Sequence, residues 1–233
     1  MTARDIEDIY PLSPMQQGML FHSLQMPEMG LYLEQVSCLL EGELDTGAFA
    51  RAWQQVVKRH SVLRSSIVWE GLDEPLQVVH RRAEMPFREE DWRSLRGEEP
   101  ARLEAFLAAD RREGLDLAQP PLSRLALFRT GDSTYRFIWT HHHLLLDGWS
   151  VPLLLQEVLA CYDAYRRGQE PHLPPARPYR EYIAWLQHQD RARAEAAWRQ
   201  ALAGVTGPTP LVLERAEAGG GPAGDYSAQH ALL

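Results

Sequence analysis

The sequence predicts an α/β fold in which a mixed sheet is packed with helices. Three observations predict it. Phe49, Trp53, Val56 and Val57 recur at spacings of three and four, which gathers them on one face of a helix. Leu122 to Arg129 and Tyr135 to Thr140 are strand-like runs on either side of Thr130-Gly131-Asp132-Ser133, the pattern of a β-hairpin. Helical and strand-like segments alternate along the chain without a strict βαβ rhythm.

Taken in order, Ser13-Pro14-Met15-Gln16 opens the first helix. Ser13 suits the cap, Pro14 the first helical position, and Gln16 completes a capping box. The helix continues through Met19, Leu20 and Phe21. Leu31 to Leu40 is rich in strand formers and is broken by Glu41-Gly42-Glu43. Asp45 caps the helix that carries Phe49 and Trp53, which ends near His60. Val62 to Trp69 reads as a short strand region. Residues 71 to 96 read as irregular apart from one strand at Leu76 to His80. Pro100 to Arg112 is a charged amphipathic helix stopped by Gly114. After the hairpin, a helix from Trp149 to Arg167 presents Leu153, Leu154, Val158, Leu159 and Tyr162 as its apolar stripe, and Gly168 ends it. The Pro-rich stretch Pro171 to Pro178 separates this from a long helix through Trp185 and Trp198 to Gly204. The tail is rich in Gly and Ala, with Gly219-Gly220-Gly221, and Leu233 reads as the start of a strand. Trp53, Trp69, Trp92, Trp185 and Trp198 read as core.

Composition narrows the function. With 233 residues, 45% of them hydrophobic, the chain can bury a core in one large domain or two small ones. A net charge of −8 counts against nucleic acid and against an anionic membrane surface as partners. The apolar runs are too short to span a bilayer. The first ten residues are polar and acidic, unlike a signal peptide. Cys38 and Cys161 lie outside any CxxC pattern and read as two reduced thiols. Together these features place the chain in the cytoplasm.

The chemistry concentrates in His141-His142-His143-Leu144-Leu145-Leu146-Asp147-Gly148. Three imidazoles at a strand end, followed by Asp and Gly at the opening of a helix, are not core composition. Histidine is the side chain suited to moving protons near neutral pH. Catalysis, metal binding and a structural cluster all stay open on this pattern alone. Adjacent histidines on a strand point to opposite faces, which weighs against one shared metal. Asp147 also suits a helix cap.

His142 to Gly148 matches HHxxxDG, and with it the chain resembles the condensation domains of nonribosomal peptide synthetases. Three further stretches carry the likeness in the right order: Ser13-Pro14-Met15-Gln16-Gln17-Gly18-Met19-Leu20-Phe21; Arg59-His60-Ser61-Val62-Leu63-Arg64-Ser65, similar to RHxxLRT with Ser65 in place of Thr; and Tyr179-Arg180-Glu181-Tyr182-Ile183-Ala184-Trp185, similar to YxDYxxW with Glu181 in place of Asp. Leu115-Asp116-Leu117 and Pro121-Leu122-Ser123-Arg124 also resemble a segment of the family. The resemblance spreads over residues 10 to 185.

It implies a chloramphenicol acetyltransferase-like half-domain. Residues 1–176 would form the N-terminal lobe of a condensation domain, and 177–233 a linker helix and the start of a truncated C-terminal lobe. The implied reaction is peptide-bond formation: the amine of one carrier-bound substrate attacks the thioester of another. No cofactor would be bound, and no metal, since the substrates arrive on phosphopantetheine arms. The implied partners are upstream and downstream peptidyl carrier domains, the missing C-terminal lobe and an adjacent adenylation domain. His143 would act as base or as positioner of the amine, with His142 turned away and His141 without a role. Asp147 would pair with Arg64 in a salt bridge that holds the loop. Gly148 would permit a close backbone approach or an unusual φ, and its N–H would face a developing oxyanion. Gly148-Trp149-Ser150 departs from the Ser-Trp pair of epimerization domains. A CoA- or carrier-dependent acyltransferase, and an isolated inactive lobe that only binds carrier proteins, are the alternatives.

Overall fold

The computed structural model describes residues 5–95 and 97–207. The chain divides into two compact units, the first ending at Gln189 and the second beginning at Asp190. The first unit contains β1 (Ile6–Pro11), α1 (Pro14–Gln25), β2 (Leu33–Glu41), α2 (Thr46–Arg59), β3 (Ser65–Val68), β4 (Leu76–His80), β5 (Phe87–Asp91), α3 (Glu99–Glu113), β6 (Ser123–Arg129), β7 (Thr134–His142), α4 (Ser150–Arg166) and α5 (Tyr179–Gln187). In the second unit the described element is α6 (Arg191–Ala201).

The strands form two sheets, one of three strands ordered β1-β4-β3 and one of four ordered β2-β7-β6-β5. Only the β5–β6 pair is parallel among the described strands, so the larger sheet is mixed, as the sequence predicts. Its central hairpin alternates with period two. Phe137 and Trp139 of β7 face α2, where they meet Phe49 and Trp53 at ring-centroid distances of 4.9 to 5.8 Å. Ile138 of β7 and Phe128 of β6 face the other way, toward Trp92 and Phe106. Burying each of these large rings contributes on the order of 2–3 kcal/mol. α4 packs against α2, with Leu154, Val158 and Cys161 buried. The sheet therefore sits between an α2/α4 layer and α3.

Local chemistry explains most boundaries. Ser13 Oγ accepts from Gln16 N, and Gln16 Oε1 accepts from Ser13 N, closing the capping box that starts α1. Asp45 Oδ1 accepts from Ala48 N at the head of α2. Gly114 and Gly168 take positive φ where α3 and α4 stop.

Several expectations are corrected. The N-terminal stretch read as merely polar is β1, an edge strand in which Ile6 and Ile9 are separated by acids, with Tyr10 buried. The stretch 71–96 holds a second strand, β5, whose sequence FREED carries no apolar alternation; it forms because β6 offers it an edge. The long helix expected to reach Gly204 is two helices, interrupted at His188 to Asp190, where Asp190 Oδ1 caps α6 by accepting from Arg193 N. Within the first unit, Ile183 of α5 packs with Tyr10 and Val79. Trp53 and Trp92 are core and Trp69 is partly buried, but Trp185 and Trp198 are 57% and 67% exposed. The Gly219–Gly221 run and the strand start expected near Leu233 lie outside the described residues. No helix among the described residues is long and apolar enough to cross a membrane.

Candidate active site

The site forms where β7 ends and the chain turns into α4. β2 pairs with β7 along its whole length, setting Leu33 opposite His142 and Glu34 opposite His141. Period two then sends His141 and His143 to one side of the strand and His142 to the other.

His142 is buried. Its Nε2 lies 3.4 Å from Ser23 Oγ of α1, and its Nδ1 accepts from the backbone N–H of Leu144 at 3.2 Å. An accepting Nδ1 carries no proton, so the ring sits neutral. Burial, aided by the neighbouring His143 and His141, pushes its pKa down to about 4. This ring braces the loop from behind.

His141 is fully buried against Trp139, with ring centroids 4.5 Å apart. Its Nε2 is 3.1 Å from Glu34 Oε2, and Nδ1 of His143 is 3.2 Å from Glu34 Oε1. One carboxylate therefore bridges two imidazoles. The His141 imidazole chiefly, with His143 and His142 adding, holds the Glu34 carboxyl below the usual carboxylate range against the opposing effect of burial.

The backbone N–H of His143 donates to the carbonyl of Tyr32 at 2.8 Å. Tyr32 has φ +62, a left-handed conformation uncommon outside glycine. His143 thereby leaves the ladder of β7 yet stays fixed to the chain leading into β2. Its ring lines a cavity of about 680 Å³, together with Leu144 to Asp147, the start of α1 and the inner face of α4. Met15, Met19, Val62 and Leu153 supply much of the apolar wall. His60 and Glu157 stand in the same cavity, 2.7 Å apart, with Arg59 holding Glu157 at 2.9 Å.

The expected Arg64–Asp147 salt bridge is not formed. Arg64 is buried, but its guanidinium donates to Glu7 at 2.8 Å and to the carbonyl of His80. The Asp147 carboxylate is exposed and accepts from Ser150 N at 2.8 Å and Ser150 Oγ at 2.6 Å. An exposed carboxylate needs no buried cation; Asp147 instead serves the opening turn of α4, and hydrogen bonding from Ser150 lowers its pKa. Gly148 meets no close backbone and does not take positive φ, because the turn it occupies is open to solvent.

Sequence reasoning missed Glu34. The available signal was a lone carboxylate near the start of a strand-forming run, with meaning only once that run is paired with the histidine strand. No cluster suited to a metal ion occurs among the described residues.

The family model of the condensation domain matches residues 6–227. The chain belongs to the condensation domain family. It is 49% identical over 209 residues to one of the linear gramicidin synthase proteins of Brevibacillus parabrevis, covering 89% of this chain and 4% of that protein. It is 42% identical over 211 residues to bacitracin synthase 3 of Bacillus licheniformis, covering 89% of this chain and 3% of that protein. The chain thus spans a small fraction of the length of these synthases. Its fold is similar to the starter condensation domain of rhizomide synthetase, with a TM-score of 0.77 and 23% identity over 87% of this chain and 50% of that one. It is also similar to the first condensation domain of the calcium-dependent antibiotic synthetase, with a TM-score of 0.76 and 20% identity over 89% of this chain and 50% of that one. The α/β architecture with mixed strands is that of these condensation-domain structures.

Proposed function

We propose that this condensation-family chain takes part in peptide-bond formation between two carrier-bound substrates. The observation that carries the reading is His143, fixed by its backbone to Tyr32 and presenting its ring to the cavity. The amine of the acceptor attacks the thioester carbonyl of the donor. The C–N bond forms, the C–S bond breaks, and the thiol of the donor's phosphopantetheine arm leaves. His143 accepts the proton lost by the attacking nitrogen, or holds that nitrogen by a hydrogen bond. A neutral, well-placed amine attacks a thioester readily, so positioning supplies several kcal/mol of the barrier reduction. The Gly148 N–H, at the turn into α4, is proposed as a donor to the developing oxyanion. His142 supports the loop and does not touch the reacting atoms. Asp147 shapes the helix start.

The partners on this reading are the two carrier domains, an adenylation domain and a second lobe. The solved condensation domains span about twice the matched length, which supports a reaction that needs both lobes. Free Cys38 and Cys161 fit a reducing, cytoplasmic setting.

The test is amide formation between two loaded carriers, measured with residues 1–233 alone and with the chain continued into a second lobe, each with and without His143→Ala. Turnover is expected only with both lobes, and a large loss in the variant. Turnover by 1–233 alone removes the two-lobe requirement. Equal rates for parent and variant remove His143 from the chemistry. If neither form makes amide, the acyltransferase and carrier-binding readings replace this one.

A further inference from the structure

Glu34 is the only carboxylate within ion-pair distance of His143 among the described residues, and it comes from a different strand. Its two oxygens are divided between two rings. Oε2 is engaged by the buried His141, which pins the carboxylate from behind; Oε1 is left for His143. Nδ1 of His143 is closed off from solvent, while the ring as a whole keeps 26% of its side-chain surface exposed and lines the cavity. Nε2 is the nitrogen left to meet a substrate. A carboxylate behind an imidazole does two things: it restrains the ring, and it favours the positive charge the ring takes on with a proton.

We propose that Glu34 is a positioning residue for His143, holding the Nδ1 edge of the ring and stabilising the imidazolium that forms when Nε2 takes the proton of the attacking amine. This rests on the peptide-bond reading above and extends it to a residue outside the HHxxxDG stretch. The proton goes from the ammonium nitrogen to Nε2 and then to solvent or the leaving thiolate, and Glu34 stays ionised throughout. The other charged or titratable groups near the ring are its strand neighbours His141 and His142, the latter turned to the opposite face, with His60, Asp147, Glu157 and Arg177 lining the same cavity. None of them lies within ion-pair distance of His143 as an acid.

The test pairs Glu34→Gln, which keeps shape and removes charge, with Glu34→Asp, which keeps the charge. The first readout needs no activity: the His143 ring proton resonance of residues 1–233, assigned with His143→Ala, is titrated by NMR. The ring of Glu34→Gln is expected to titrate at lower pH than the parent, because the imidazolium has lost its counter-charge, and Glu34→Asp is expected to recover part of the difference. An unchanged titration in a folded Glu34→Gln overturns the inference. The second readout is amide formation with both lobes present. Glu34→Gln is expected to lose about tenfold or more in kcat with KM little changed, and the acid limb of its pH profile is expected to move to lower pH. A rate within about twofold of the parent with an unmoved limb marks Glu34 as structural only. If the parent forms no amide, the functional reading fails by itself, and the ring titration alone decides whether Glu34 governs His143.

Discussion

Gln16 and Gln77 meet amide to amide, with Gln16 Nε2 donating to Gln77 Oε1 at 3.0 Å. The same Nε2 donates to the carbonyl of Leu144 at 2.9 Å, the residue after His143. Both glutamines are buried. Gln77 passes the network on to Tyr10 Oη and Ser65 Oγ, so the capping box of α1, the small sheet and the histidine loop share one set of hydrogen bonds.

Removing Gln16 therefore leaves buried acceptors unpaired at two places and opens the capping box. Gln16→Ala is expected to cost about 2–4 kcal/mol in urea unfolding, well above an ordinary cap loss of about 1 kcal/mol. A cost near that of a cap alone shows that the Leu144 carbonyl finds another donor.

Arg64 and Asp147 make separable predictions. Arg64 is buried with two partner residues, Glu7 and His80, so Arg64→Ala is expected to destabilise by about 3 kcal/mol or more, by stranding the His80 carbonyl and opening a hole. Asp147→Ala loses only a helix-start contact and is expected to cost about 1 kcal/mol. Glu7 is 41% exposed, and Glu7→Gln is expected to cost about 1 kcal/mol or less. A double-mutant cycle of Arg64 and Asp147 is expected to show additivity; a coupling energy above about 1 kcal/mol restores the pairing these two residues do not make here.

His142 gives the fold a pH dependence of definite sign. Its folded pKa lies at about 4 against an ordinary 6.5, so the unfolded chain takes up the proton first as pH falls. The stability conferred by the neutral ring is fully present above about 6.5 and is lost progressively down to about 4, by up to roughly 3 kcal/mol at 1.36 kcal/mol per unit. His142→Asn keeps an acceptor for Leu144 N and does not titrate. Its unfolding free energy is expected to fall less between pH 7 and pH 4 than that of the parent, and parallel curves for the two proteins place the titrating group elsewhere.

Elements held together by local chemistry were legible in the sequence. The Ser13–Gln16 box, the Asp45 cap, the apolar stripe of α2 and the 130–133 turn each fix their element within a few residues. β5 was not legible, because a charged run becomes a strand only when β6 supplies its edge. Neither was the break at His188 to Asp190, where a cap at Asp190 outweighs a composition that favours one helix. The histidines could be singled out from their own stretch, and opposite facing of neighbours follows from strand period. What they touch could not. Arg64 had several carboxylates to choose from, and the choice went to Glu7 in β1, a strand the sequence did not reveal. Glu34 gains its meaning from cross-strand register, which is a property of two segments a hundred residues apart.

That register has a consequence for how such chains can change length. A slip of one residue turns every side chain of a strand to its opposite face. Inserting or deleting a single residue ahead of Glu34 within β2 would swing its carboxylate away from His141 and His143 while leaving the hairpin, the caps and the imidazoles in place. The turn between β3 and β4 is exposed and sits on no such pairing. A change of length at residues 70–74 would therefore leave the Glu34 bridge intact, whereas a change of length in β2 would break it.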